Sequence, residues 1–205
     1  NWTTNKKRQT FVRIFLRYRL DRRVKKRKRM IIARQKRKEN IAEYILYMWH
    51  IEDIIRAYKL DIEAIHTHII MHFSLDEATR KEMKEWYESL IEMMNKEQVM
   101  HTGHLQINQS SVRLLCDFHV ELLENEDEKQ YHSLYHQTLP LIEEFRHKNA
   151  LSDVPSIEVC LQFMYGIWLL KIQKKEISTE TNQAVVQIGK LLAFLSKKFK
   201  NNEEN

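Results

Sequence analysis

The chain has few of the residues that break, bend or staple a fold. Its 205 residues include 3 glycines, 2 prolines and 2 cysteines. So little glycine and proline argues against a turn-rich β protein, a glycine-loop nucleotide fold or a linker-rich chain. Two cysteines cannot build a disulfide scaffold. No apolar run reaches the roughly 18–20 residues needed to span a bilayer, so no membrane partner is expected. The sequence contains no G-x-G-x-x-G, Walker A, H-E-x-x-H or G-x-S-x-G pattern. What it does contain is helix-forming material, 43% hydrophobic and 30% charged. This composition predicts an all-α protein: a single compact bundle of six or seven helices with a basic N-terminal extension.

The net charge of +6 is unevenly placed. Residues 1–29 hold 13 Lys/Arg and one acid, Asp21, whereas the remainder holds 21 basic and 27 acidic side chains. The basic run ends at Lys25-Lys26-Arg27-Lys28-Arg29, just before Met30. We read residues 1–29 as a translated leader or disordered arm, residues 30–200 as the helical domain and residues 201–205 as a frayed tail. Nucleic acid is an expected partner only if residues 1–29 are genuine, because a basic arm binds phosphates through counterion release.

Apolar residues recur at helical spacing along the rest of the chain. Helix one is expected over about 33–58, with Ile41, Tyr44, Ile45, Met48, Ile51 and Ile55 on one stripe. Helix two is expected over about 61–73. Helix three is expected to begin at the capping-box pattern Ser74-Leu75-Asp76-Glu77. Gly103 separates it from helix four, which reaches about Leu123. Helix five runs to about His147, with Pro140 marking a kink or boundary. Asp153 before Val154-Pro155 is the expected start of helix six, with Pro155 in its first turn, and the helix is apolar on nearly every side, which predicts the central position. Ser178 is the expected cap of helix seven.

Residues 30–57, MIIARQKRKENIAEYILYMWHIEDIIRA, carry one resemblance. The stretch from Lys38 to Trp49, followed by Ile51-Glu52-Asp53, resembles an uncharacterised domain-of-unknown-function family of small all-helical proteins, found mainly in Bacteroides relatives. The resemblance implies a cytoplasmic bacterial protein and brings no catalytic residue with it.

Several polar side chains fall inside the apolar stripes. Glu52, His66, Asn108 and His119 are the candidates for a ligand pocket between helices, and Glu97 with His101 reads as a helix-end pair near Gly103. An unpaired buried polar group costs about 1–3 kcal/mol, so each of these needs a partner. The pairs Glu63/His66 and Glu144/His147 have the i, i+3 spacing of di-metal bundles. His147 points away from its own stripe, however, and the two pairs do not converge. No metal, other cofactor or catalytic residue is expected. The best reading is a non-enzymatic cytoplasmic protein acting through protein contact or as a homo-oligomer. The alternatives are a small-molecule or metal-binding pocket and nucleic-acid binding through the arm.

Overall fold

The computed structural model describes residues 36–203. The basic extension, residues 1–29, therefore lies outside the described residues. Among the described residues there are the helical residues 36–39, seven further α-helices, one 3₁₀ turn and no strand, an all-α bundle. The helices are α1 (Ile41–Ala57), α2 (Ile62–His68), α3 (Glu77–Lys96), α4 (Gln106–Glu124), α5 (Lys129–Lys148), α6 (Ser156–Ile172) and α7 (Thr179–Glu203), with the 3₁₀ turn at Ile70–His72. None of them is long and apolar enough to cross a membrane. The described residues group into two compact units, one of residues 36 and 47–109 and one of residues 37–46 and 110–203.

Helix starts follow side-chain acceptors. Residues 36–39 are helical, but Asn40 interrupts the single helix expected over 33–58. Its Oδ1 accepts the Glu43 N–H at 3.0 Å and so starts α1 afresh. Helix α3 begins at Glu77, not at Ser74, because the Asp76 carboxylate accepts the Thr79 N–H at 2.8 Å. The Ser178 hydroxyl accepts the Thr181 N–H at 3.1 Å and starts α7. Pro155 is the N-cap of α6 rather than a first-turn residue. Helix α5 continues through Pro140. Helix α7 runs on to Glu203, past Asn201, where the sequence suggests fraying.

Four helix ends share one device. After α1, α3, α5 and α6, the residues Lys59, Gln98, Ala150 and Lys174 take positive φ of 55°, 58°, 52° and 56°. In each case the next residue donates back five positions: Leu60 to Ile55, Val99 to Met94, Leu151 to Arg146 and Lys175 to Leu170. This is the Schellman closure, which favours glycine at the left-handed position. A side chain there costs about 1 kcal/mol. Gln98→Gly and Lys174→Gly should therefore each raise stability by about 0.5–1 kcal/mol in urea melts. A loss of stability in both would contradict the assignment.

In the unit of residues 47–109, α2, α3 and the 3₁₀ turn pack together around Ile65, Ile69, Ile70, Met83, Tyr87, Leu90 and Met94. In the other unit, α5, α6 and α7 pack pairwise. Its core includes Leu115, Tyr131, Ile142, Cys160, Leu161, Ile188, Leu191 and Leu195. Helix α1, not α6, is the helix buried on nearly every side, with Ile41, Ile45, Tyr47, Met48, Trp49, Ile51, Glu52, Ile54 and Ile55 all buried. Helix α6 keeps Met164, Tyr165, Trp168, Leu169 and Leu170 half-buried. An all-round apolar composition thus did not mark the most enclosed helix.

Candidate functional site

The Glu52 carboxylate is 0% exposed, and the surrounding polar groups are built onto it. Its position on α1, one turn past Trp49, aims it at the start of α4. Oε1 accepts the Leu105 backbone N–H at 2.9 Å and the Asn108 side-chain Nδ2 at 2.6 Å. Oε2 lies 2.6 Å from Nδ1 of His104. A carboxylate only accepts hydrogen bonds, so Nδ1 of His104 is the donor, and in the neutral ring this leaves Nε2 with a lone pair. The His104 ring stacks on Trp49, with centroids 4.5 Å apart and planes 16° from parallel. Its side chain is 35% exposed. Nε2 makes no hydrogen bond among the described residues and is not a buried atom.

The loop carrying His104 is held from both sides. The Arg56 guanidinium donates to the carbonyls of Val99 and Gly103 and pairs with Asp53 at 2.9 Å. Gly103 takes φ 83°, a left-handed conformation that suits a residue without Cβ. Glu97 Oε2 accepts the Gln106 N–H at 2.6 Å, and the Gln109 amide donates to the His104 carbonyl at 2.7 Å. The first turn of α4 thus has its free N–H groups met by two carboxylates, which also suits the positive end of the helix dipole. Asn108 Oδ1 is the open account here: it is buried and has no hydrogen-bond partner.

The sequence-derived candidates separate in space. Glu52 and Asn108 share one network. Glu97 caps α4, and His101 is exposed on the same loop, with no contact to Glu97 among the described hydrogen bonds and ion pairs. His66 is half-buried and lines an open surface concavity of about 330 Å³ with Glu77, Ala78, Arg80, Lys81 and Lys84. Glu63, its i−3 neighbour, pairs with Lys84 at 2.6 Å. His104 was not singled out by sequence reasoning. It lies in a loop without periodicity, and its only signal is its place four residues before Asn108, just after Gly103.

His119 belongs to the other unit. Its Nδ1 lies 2.6 Å from the Tyr131 hydroxyl, and its ring meets Tyr135 edge-on with centroids 4.7 Å apart. Burial holds its imidazole down to about 4, so it is neutral at ordinary pH. Burial, with smaller contributions from the neighbouring thiols and Tyr135, pushes the Tyr131 phenol up. Burial likewise pushes the Cys116 and Cys160 thiols up to about 12. Both are free, buried and far from the thiolate form that a nucleophile needs.

Among the described residues, no group of three or more His, Cys, Asp and Glu is placed to hold a metal ion. What the Glu52 cluster offers is one imidazole of fixed tautomer, fixed orientation and outward-facing Nε2. A family model described as a domain of unknown function (DUF4924) matches residues 30–205. No curated protein and no solved structure matches the chain.

Proposed function

The chain belongs to the DUF4924 family, and from that premise we propose that it works by contact with protein, in the first place a second copy of itself, and not by turnover of a small molecule. The observation that carries this reading is how the fold spends its polar groups. Glu52 is occupied by Leu105, Asn108 and His104, and His119 by Tyr131. A small-molecule pocket would leave several convergent groups facing a cavity. The apolar surface of α1 is covered within the chain and lends no weight to self-association. Support comes instead from one unit, where Leu114, Val120 and Val186 are 46%, 50% and 58% exposed and α6 leaves Leu169 and Leu170 half-buried.

Two buried free thiols suit a reducing compartment. With the resemblance of residues 30–57, this supports a bacterial, cytoplasmic protein with residues 30–200 as its working domain. Nucleic-acid contact is a property of residues 1–29 in this reading. Sedimentation velocity of the 205-residue chain at micromolar concentrations tests the main proposal. A dimer or larger species that dissociates on dilution is expected, and a monomer throughout would overturn it.

A further inference from the structure

We propose that His104 is a phosphoryl-acceptor site, at which Nε2 takes a phosphoryl group from an acyl phosphate or phosphoramidate donor. Three features of the geometry point to it. The first is tautomer. Glu52 Oε2, 2.6 Å from Nδ1, fixes the ring proton on the inner nitrogen and leaves the outer one as an electron pair. The second is charge. When Nε2 bonds to phosphorus the ring becomes cationic, and the fully buried Glu52, whose other two partners are the neutral Leu105 N–H and the Asn108 amide, neutralises it. The third is access. The side chain is 35% exposed while Trp49 holds the ring plane, so the acceptor nitrogen is oriented before a donor arrives.

The surroundings argue against a metal and do not form an anion cradle, since Arg56 on the Gly103 carbonyl is paired with Asp53 and the start of α4 is met by Glu52 and Glu97. Metal binding would need at least three converging ligands, and no such group exists among the described residues.

The step balances. The Nε2 lone pair forms the N–P bond as the bond from phosphorus to the donor's oxygen or nitrogen breaks. The leaving carboxylate or ammonia takes that electron pair, and the ring keeps Nδ1–H towards Glu52. In zwitterionic phosphoramidate the nitrogen already carries its third proton, so neutral ammonia leaves without further transfer.

The test uses the full chain with potassium phosphoramidate at mildly alkaline pH, read by peptide mapping under neutral conditions. His101, exposed on the same loop, is the internal reference and needs no variant. His104 should be phosphorylated at least about ten-fold faster than His101. Glu52→Gln keeps an acceptor for Leu105 and Asn108, but its amide donates to Nδ1, which moves the ring proton to Nε2. In that variant the His104 rate should fall to the His101 rate or below while the far-ultraviolet helix signal is unchanged. Equal rates at the two histidines of the wild type, or an undiminished His104 rate in a folded Glu52→Gln protein, would overturn the proposal. So would acylation of His104 by diethyl pyrocarbonate without any phosphorylation, because that reports a reactive nitrogen that does not accept phosphorus.

Discussion

Glu52→Ala is expected to cost about 3–5 kcal/mol of folding stability, because it removes the shared acceptor of three donors in one step. The Leu105 N–H and the Asn108 amide would be left buried and unpaired, and Asn108 Oδ1 is already without a partner. Domains are typically stable by about 5–15 kcal/mol in total, so the loss approaches the whole margin. Glu52→Gln preserves the acceptor oxygen and the volume, and should cost only about 1 kcal/mol. Urea unfolding of the two variants checks this. Equal small losses would mean that the network around Glu52 does not hold the start of α4.

The second large effect is a loss of stability in acid, traced to His119. In the unfolded chain this imidazole titrates near 6.5, and in the folded protein burial lowers it to about 4. Between those values the unfolded chain takes up a proton that the folded protein refuses. Stability therefore falls as pH drops from about 6.5, and His119's contribution levels off below about 4. The expected span is about 3 kcal/mol. Its neighbours do not titrate in that range, because burial keeps the Tyr131 phenol and the Cys116 and Cys160 thiols protonated. His119→Gln can still pair with Tyr131 and cannot titrate. The difference in stability between wild type and this variant should shift in favour of the variant as pH falls from 7 to 4, by about 3 kcal/mol. A pH-independent difference would mean that His119 takes up its proton in the folded state without penalty.

Periodicity read the long helices well and their ends poorly. The stripe of α3 carries Met83, Trp86, Tyr87, Leu90, Met93 and Met94, of which Met83, Tyr87, Leu90 and Met94 are buried and Trp86 and Met93 half-buried. Four helices nevertheless end on Lys59, Gln98, Ala150 and Lys174, residues that give no stop signal, because the left-handed closure is accepted at a cost. Asp76 took the cap that the Ser74 pattern suggested, since a side chain is a cap only where the backbone turns helical one residue later. Glu52 and Asn108 stood out because a carboxylate or amide within an apolar stripe demands a partner, and each is the other's. His66 stood out by the same logic and is half-buried at a surface concavity, because α2 is 7 residues long and so short a helix hardly defines an inner face. His104 was illegible for the opposite reason. A loop residue has no phase, and only the fold brings it across 52 positions of sequence to Glu52.

Glu52 holds His104 as the Nδ1–H tautomer with a bare, outward Nε2. Long-range proton–nitrogen correlation spectra of the nitrogen-15-labelled chain measure it directly. At mildly alkaline pH the account predicts a protonated Nδ1 and an unprotonated Nε2 for His104, with the two signals exchanging character in Glu52→Gln. An Nε2–H tautomer in the wild-type protein, or spectra of rapidly averaging tautomers unaffected by Glu52→Gln, would contradict it.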